Sequence, residues 1–166
     1  LDAMITEKAK HLYESNGVLN HVELEARHEI ELEKYIKKVQ IEARIMGELC
    51  TSHILPPAIK YQNTLIQNII GIKEIGLKEP AFSNQKQILE KISEHISQIS
   101  DLVSKMIDAR KKANVLTNTR AKAIAYCDDV KGEYFDKIRY HVDKLEVLID
   151  DSEWLLPKYR EILFLR

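Results

Sequence analysis

The sequence predicts an all-α protein, an antiparallel bundle of about four long helices followed by a short C-terminal helix. Three observations carry this expectation. Apolar residues recur at spacings of three and four along most of the chain, the period of one helix face. Only five Gly and four Pro occur in 166 residues, too few turn formers for many short elements. Period-two alternation and hairpin dipeptides are missing, so no strand pattern competes.

The first helix is expected over about residues 3–15, with Asp2 as its N-cap and Met4, Ile5, Ala9, Leu12 and Tyr13 on one side. Asn16-Gly17 stops it, because Gly can take the left-handed conformation that closes a helix. Asn20 with Glu23 three residues on reads as a capping box. A long helical pattern then runs to about Ile75, its stripe made by Leu32, Ile36, Val39, Ala43, Met46, Cys50 and His53/Ile54. Glutamates crowd its start and lysines come later, as the helix dipole favours. Pro56-Pro57 is expected to kink it, since each ring removes an amide donor and clashes with the preceding turn. Ile59, Leu65, Ile66, Ile69 and Ile70 resume the stripe beyond. Unkinked, this helix would be on the order of 80 Å long, more than a compact domain of this size spans, so part of it should project or lean on a partner.

A loop follows over residues 76–82. Glu79-Pro80 or Ser83 then begins a third helix reaching about Val115. Ile88, His95, Leu102 and Ala109 alternate there with Ile92, Ile99, Met106 and Ala113, a near-heptad seam for antiparallel neighbours. After Thr117-Asn118 a fourth helix extends to about Ile149, with Ile124, Cys127, Val130, Tyr134, Ile138, His141, Leu145 and Leu148 facing inward. Asp150-Asp151-Ser152 ends it, and Pro157 suits the first position of a short last helix.

Residues 1–166 are read as a single helical domain, long enough to bury roughly 70% of its unfolded surface. Apolar residues make up 45% and charged residues 31%, which excludes compositional disorder. With 25 basic and 26 acidic residues the net charge is −1, so no field spans the domain to attract nucleic acid. Cys50 and Cys127 are too few for a disulfide framework and suit a reducing, cytoplasmic setting. No apolar stretch approaches the ~20 residues that cross a bilayer, so no membrane partner is expected. The opening Leu-Asp-Ala-Met-Ile-Thr-Glu-Lys has no signal-peptide core. Its lack of an initial Met hints that the natural protein begins upstream.

Several constellations invite a chemical reading. Glu25 and His28 form one Glu-x-x-His unit, but a di-metal bundle needs two, so the plainer reading is a solvated surface pair. Cys50 and His53 share a helix face, and Cys127 with His141 or His95 could complete a zinc set. Neither Cys-x-x-Cys nor His-x-x-x-His occurs, and packed thiols are the simpler account. His95 and His141 fall on inner faces at comparable seam positions. A hydrogen-bonded core role is preferred there over a pH-sensitive or catalytic pair. Arg110-Lys111-Lys112 with Arg120 and Lys122 gathers positive charge where a helix C-terminus favours it. Glycine-rich phosphate loops and nucleophile elbows are absent from the sequence. No catalytic, cofactor-binding or metal-ligating residue is therefore assigned.

The stretch over residues 139–164 is the most informative. It joins a strong amphipathic helix to a tail carrying the only Trp and one of three Phe. Trp154, Leu156, Pro157, Tyr159 and Phe164 are the candidate tail-docking or interface residues, able either to cap their own bundle or to anchor a partner. Capping is the preferred reading.

Residues 27–75 and 119–164 resemble the C-terminal region of bacterial type III glutamine synthetases. The resemblance is most specific where Tyr61-Gln62-Asn63, residues 139–146 and residues 157–161 stand together. Residues 1–26 also fit, and residues 77–115 resemble it in helical character alone. Pro57 and Leu155 depart from the pattern. The resemblance implies a non-catalytic structural or assembly domain of a longer enzyme. That enzyme would ligate ammonium to glutamate using ATP and a divalent metal, Mg or Mn, bound by domains outside this region. Implied partners are the catalytic domain of the same polypeptide and sister subunits of a homo-oligomer. An independent helical-bundle interaction module is the alternative, and a bundle metalloenzyme a more distant one.

Overall fold

The computed structural model describes residues 1–164. Every regular element among them is helical. A short 3₁₀ turn, Asp2–Ile5, leads into α1, Glu7–Ser15. The first long rod comprises α2, His21–Leu49, a π turn at Cys50–Ile54, and α3, Leu55–Glu74. A 3₁₀ turn at Glu79–Ala81 precedes α4, Ser83–Asn114. The second rod comprises α5, Thr119–Ala125, a π segment at Tyr126–Phe135, and α6, Asp136–Leu148; α7, Tyr159–Leu163, closes the chain. The two rods run 54 and 30 residues without a break, so the all-α class and the long helices are as expected.

Side-chain contacts give the directions. Gln40 and Gln62 on the first rod meet Asn114 and Ser93 on α4, an antiparallel pairing. Tyr126 meets Asn114 and His141 meets His95, so the second rod runs antiparallel to α4. Thr119 reaches Glu29 and Lys131 reaches Glu42, so the second rod runs alongside α2 in the same direction. Between the two rods and α4 lies one core, in which Val39, Ala43, Ile92, Ile99, Met106, Val130, Ile138 and Leu145 are buried. The short α1 buries none of its residues, and Leu12 on it is exposed.

Local chemistry sets the helix ends. Asn20 Oδ1 accepts from the Glu23 amide at 2.9 Å while Glu23 Oε2 accepts from the Asn20 amide at 2.8 Å, the complete capping box. Gly17 and Gly76 have φ of +63° and +82°. In each case the glycine amide and the next one turn back onto carbonyls of the last helical turn, satisfying acceptors a helix end leaves open. Asn118 Oδ1 accepts from the Ala121 amide at 2.8 Å and starts α5.

Four expectations are corrected. Asp2 does not cap the first helix; Thr6 does, accepting from the Ala9 amide at 3.3 Å. The irregular turn of the first rod lies not at Pro56-Pro57 but just before it, where the Leu55 amide bonds to the Cys50 carbonyl five residues back. The prolines donate nothing to the preceding turn and crowd it, so the helix widens there. The buried face of the second rod also differs: Ile124 and Cys127 are exposed, while Ala123, Tyr126, Val130, Phe135 and Ile138 are buried. Their spacing of three, four, five and three is what π turns impose. Finally, Pro157 does not open the last helix, which begins at Tyr159 after Lys158.

Candidate functional site

The C-terminal turn brings the tail onto the bundle. After Leu148 the chain becomes extended at Ile149. Asp150 Oδ1 accepts from the Ser152 amide at 2.8 Å, and the Asp150 carbonyl accepts from the Glu153 and Trp154 amides. This tight turn swings Trp154 inward, leaving it 8% exposed within the core cluster. Among the described residues its indole Nε1 donates to no other group. Glu153 pairs with Lys60 of α3 at 2.8 Å, tying the turn to the first rod.

Lys158 makes the second attachment, one the sequence did not disclose. Its ammonium donates to the carbonyls of Glu146 at 2.8 Å and Ile149 at 3.1 Å and pairs with Asp151 at 2.6 Å. These are the open acceptors at the end of α6, where the helix dipole also favours a cation. Three partners offset the cost of burying that charge. A lysine in a tail reads as solvated, and its place two residues after Trp154-Leu155-Leu156 was the available signal.

Between the tail and the rods lies an apolar groove of about 510 Å³. Ile45, Leu49 and Ile54 of the first rod, Phe135 and Val142 of the second, and Leu156, Pro157 and Ile162 of the tail line it. Glu42, Arg139, Asp143 and Glu146 stand around its edge. Next to its lining residues in the sequence, Ile41, Leu155 and Leu163 are exposed, as is Phe164 just after α7, by 80%. Of the predicted tail residues, Trp154 is thus buried, Leu156 packs on the core, Pro157 faces the groove and Phe164 points out; the Tyr159 side chain lies outside what is described. A larger groove, about 780 Å³, runs between α4 and the second π segment. Its lining is mostly charged, with Asp108, Asp128, Asp129 and Glu133 beside Lys105 and Lys112.

The remaining candidates are dispersed. Cys50 is buried, and burial pushes its thiol up to about 11, far from a reactive thiolate. His53 and Cys127 are exposed. Cys127 instead lies beside Tyr35, whose hydroxyl is pushed up to about 12, mainly by burial and then by that thiol. His28 is buried, not a surface residue, and meets Asp2 at 3.2 Å. Asp2 also holds Arg120 at 2.6 Å, which keeps its carboxyl below the usual range, while Glu25 pairs with His21 and Lys10. Lys111 pairs with Asp108, so the expected basic cluster is partly neutralised. His95 and His141 do meet, Nδ1 to Nδ1 at 3.0 Å. Among the described residues no group of three His, Cys, Asp or Glu side chains is arranged to hold a metal ion.

Comparison with known proteins places this architecture. The family model of the glutamine synthetase C-terminal domain matches residues 1–73. A glutamine synthetase of Bacteroides fragilis is 46% identical over 150 residues, 89% of this chain and 20% of the relative. The chain belongs to the glutamine synthetase C-terminal domain family. A type-3 glutamine synthetase of Dictyostelium discoideum is 28% identical over 167 residues, 97% of this chain and 22% of the relative. A glutamine synthetase of Butyrivibrio fibrisolvens is 26% identical over 160 residues, 96% of this chain and 23% of the relative. The chain thus spans about a fifth of the length of the curated relatives it matches, from 20% to 23%. Within this C-terminal domain the family model covers α1, α2 and nearly all of α3. The match to the Dictyostelium protein extends over 97% of the chain and so takes in the tail turn as well. No helix among the described residues is long and apolar enough to cross a membrane.

Proposed function

We propose that this domain is a non-catalytic docking and assembly module of a type III glutamine synthetase. The observation that carries the reading is an apolar groove with one wall formed by the tail, the same tail that exposes Leu155, Leu163 and Phe164, on a chain one-fifth the length of its relatives. An apolar groove beside a segment rich in exposed apolar side chains is the kind of surface that marks an interaction site. Its partners would be the catalytic part of the same polypeptide and sister subunits of a homo-oligomer. The parent reaction would be ATP-dependent ligation of ammonium to glutamate in the cytoplasm. Its nucleotide and its Mg or Mn would be held outside residues 1–164; the carboxylates of Asp128, Asp129 and Glu133 line an open groove beside Lys105 and Lys112 and do not fit a metal centre.

The division of labour within the tail supports this. Trp154 and Lys158 fasten the turn to the bundle, which leaves Leu163 and Phe164 presented outward on a fixed base. The test is the double substitution Leu163→Asp, Phe164→Asp in the full-length enzyme, followed by light scattering and glutamine formation. Assembly mass should fall and activity with it, while the domain keeps its helical content. Wild-type mass and activity would overturn the reading.

A further inference from the structure

One polar contact interrupts the apolar seam between α4 and α6. His95 Nδ1 lies 3.0 Å from His141 Nδ1, with ring centroids 5.2 Å apart and planes at 54°. Both side chains are half-buried. Along α4, His95 stands between fully buried Ile92 and Ile99; along α6, His141 stands between buried Ile138 and Leu145. At this separation one nitrogen must carry a hydrogen while the other offers its lone pair. The neutral pair satisfies that requirement, and so does a pair holding one extra proton. A pair holding two extra protons cannot, because two N–H donors and two positive charges would then face each other.

The surroundings bear unequally on the two rings. On α4, Glu94 adds a negative charge that opposes deprotonation of His95. On α6, Lys144 adds a positive charge and sits 5.3 Å over the ring of Tyr140, which meets His141 edge-on at 5.2 Å. From α3, on the other flank of α4, the polar contact at this level is neutral, Gln62 to Ser93 at 2.7 Å. Burial first, then His141 and Lys144, hold His95 below the ordinary histidine value against the pull of Glu94.

We propose that His95 and His141 form a proton-counting latch on the α4–α6 seam, which accepts one added proton and is opened by the second. The sign follows from linkage. A histidine depressed in the folded state binds fewer protons there than in the unfolded chain. The latch is therefore fully stabilising above the ordinary value of 6.5, and its contribution drains away as pH falls through the depressed one. Because α6 also lines the apolar groove and leads into the Trp154 turn, opening the latch loosens that face. The latch itself does not depend on what the groove binds.

The experiment is an NMR titration of the histidine side-chain nitrogens in this protein from about pH 8 to about pH 4.5, with amide exchange followed in parallel. The pair should take up its two protons in separate steps, with His95 titrating below the ordinary histidine value, and amide exchange near residues 92–99 and 138–145 should quicken at the second step. Lys144→Met, a change at an exposed residue, should move the lower midpoint upward, and His141→Gln should do the same. Should His141→Gln fail to fold, the wild-type and Lys144→Met titrations decide. A single shared midpoint, or seam protection unchanged across the second step, overturns the latch.

Discussion

Trp154 and Lys158 show how single residues fix the tail. Trp154 is buried in the core, and large core aromatics cut back to Ala lose ~3–5 kcal/mol. Trp154→Ala should therefore cost about that much in urea unfolding. Trp154→Phe should cost far less, because the lost indole N–H makes no hydrogen bond among the described residues. Equal losses for the two variants would show that the nitrogen, not the ring, holds the tail. Trp154 was legible in the sequence as a buried anchor because its size and apolarity leave few alternatives. Lys158 was not, because its burial depends on α6 ending where its carbonyls meet the returning chain. Asp2 was misread for a related reason: its partners His28 and Arg120 lie 26 and 118 residues away.

At the level of elements, the π turns decide which side chains face inward. A sequence pattern read at 3.6 residues per turn placed Ile124 and Cys127 inside and missed Tyr126 and Phe135. Across the wider turns of Tyr126–Phe135 that period fails. Tyr126 then becomes fully buried, its hydroxyl donating to Asn114 Oδ1 at 2.6 Å, which also accepts from Gln40 at 3.3 Å. Where α geometry holds, in α2 and α4, the predicted stripes and the capping box match the structure residue for residue at Leu32, Ile36, Val39, Ile92 and Ile99. Two glycines separate the regimes. A Cβ on Gly47 would meet Met106 and Val103 side chains at an ordinary 3.8 Å. Gly47→Ala should stabilise the protein by about 0.5–1 kcal/mol through helix propensity. A Cβ on Gly132 would meet the Cys127 carbonyl at 3.1 Å, backbone that cannot yield easily. Gly132→Ala should forfeit that gain and lower the melting temperature relative to Gly47→Ala. The reverse order would mean that the π segment relaxes freely to α geometry.

For the whole molecule, the fold class and the family were open to sequence reading because helix periodicity and the tail motif are local. The groove was not: it is assembled from residues as distant as Ile45, Phe135 and Ile162, each unremarkable alone. What unites these scales is a bundle whose own tail is fastened inward by Trp154 and Lys158 while Leu163 and Phe164 remain outside. Most of the surface apolar residues of any protein stand singly and mean little. Here they stand on the tail that forms one wall of a groove, on a chain that represents 20% of a relative's length. The most direct measurement is a photo-cross-linking amino acid placed at position 163 of the full-length protein, with the adducts mapped by mass spectrometry. Docking predicts adducts to residues outside this domain, in the same polypeptide or a neighbouring subunit. Adducts confined to the domain itself, or to solvent, would contradict it.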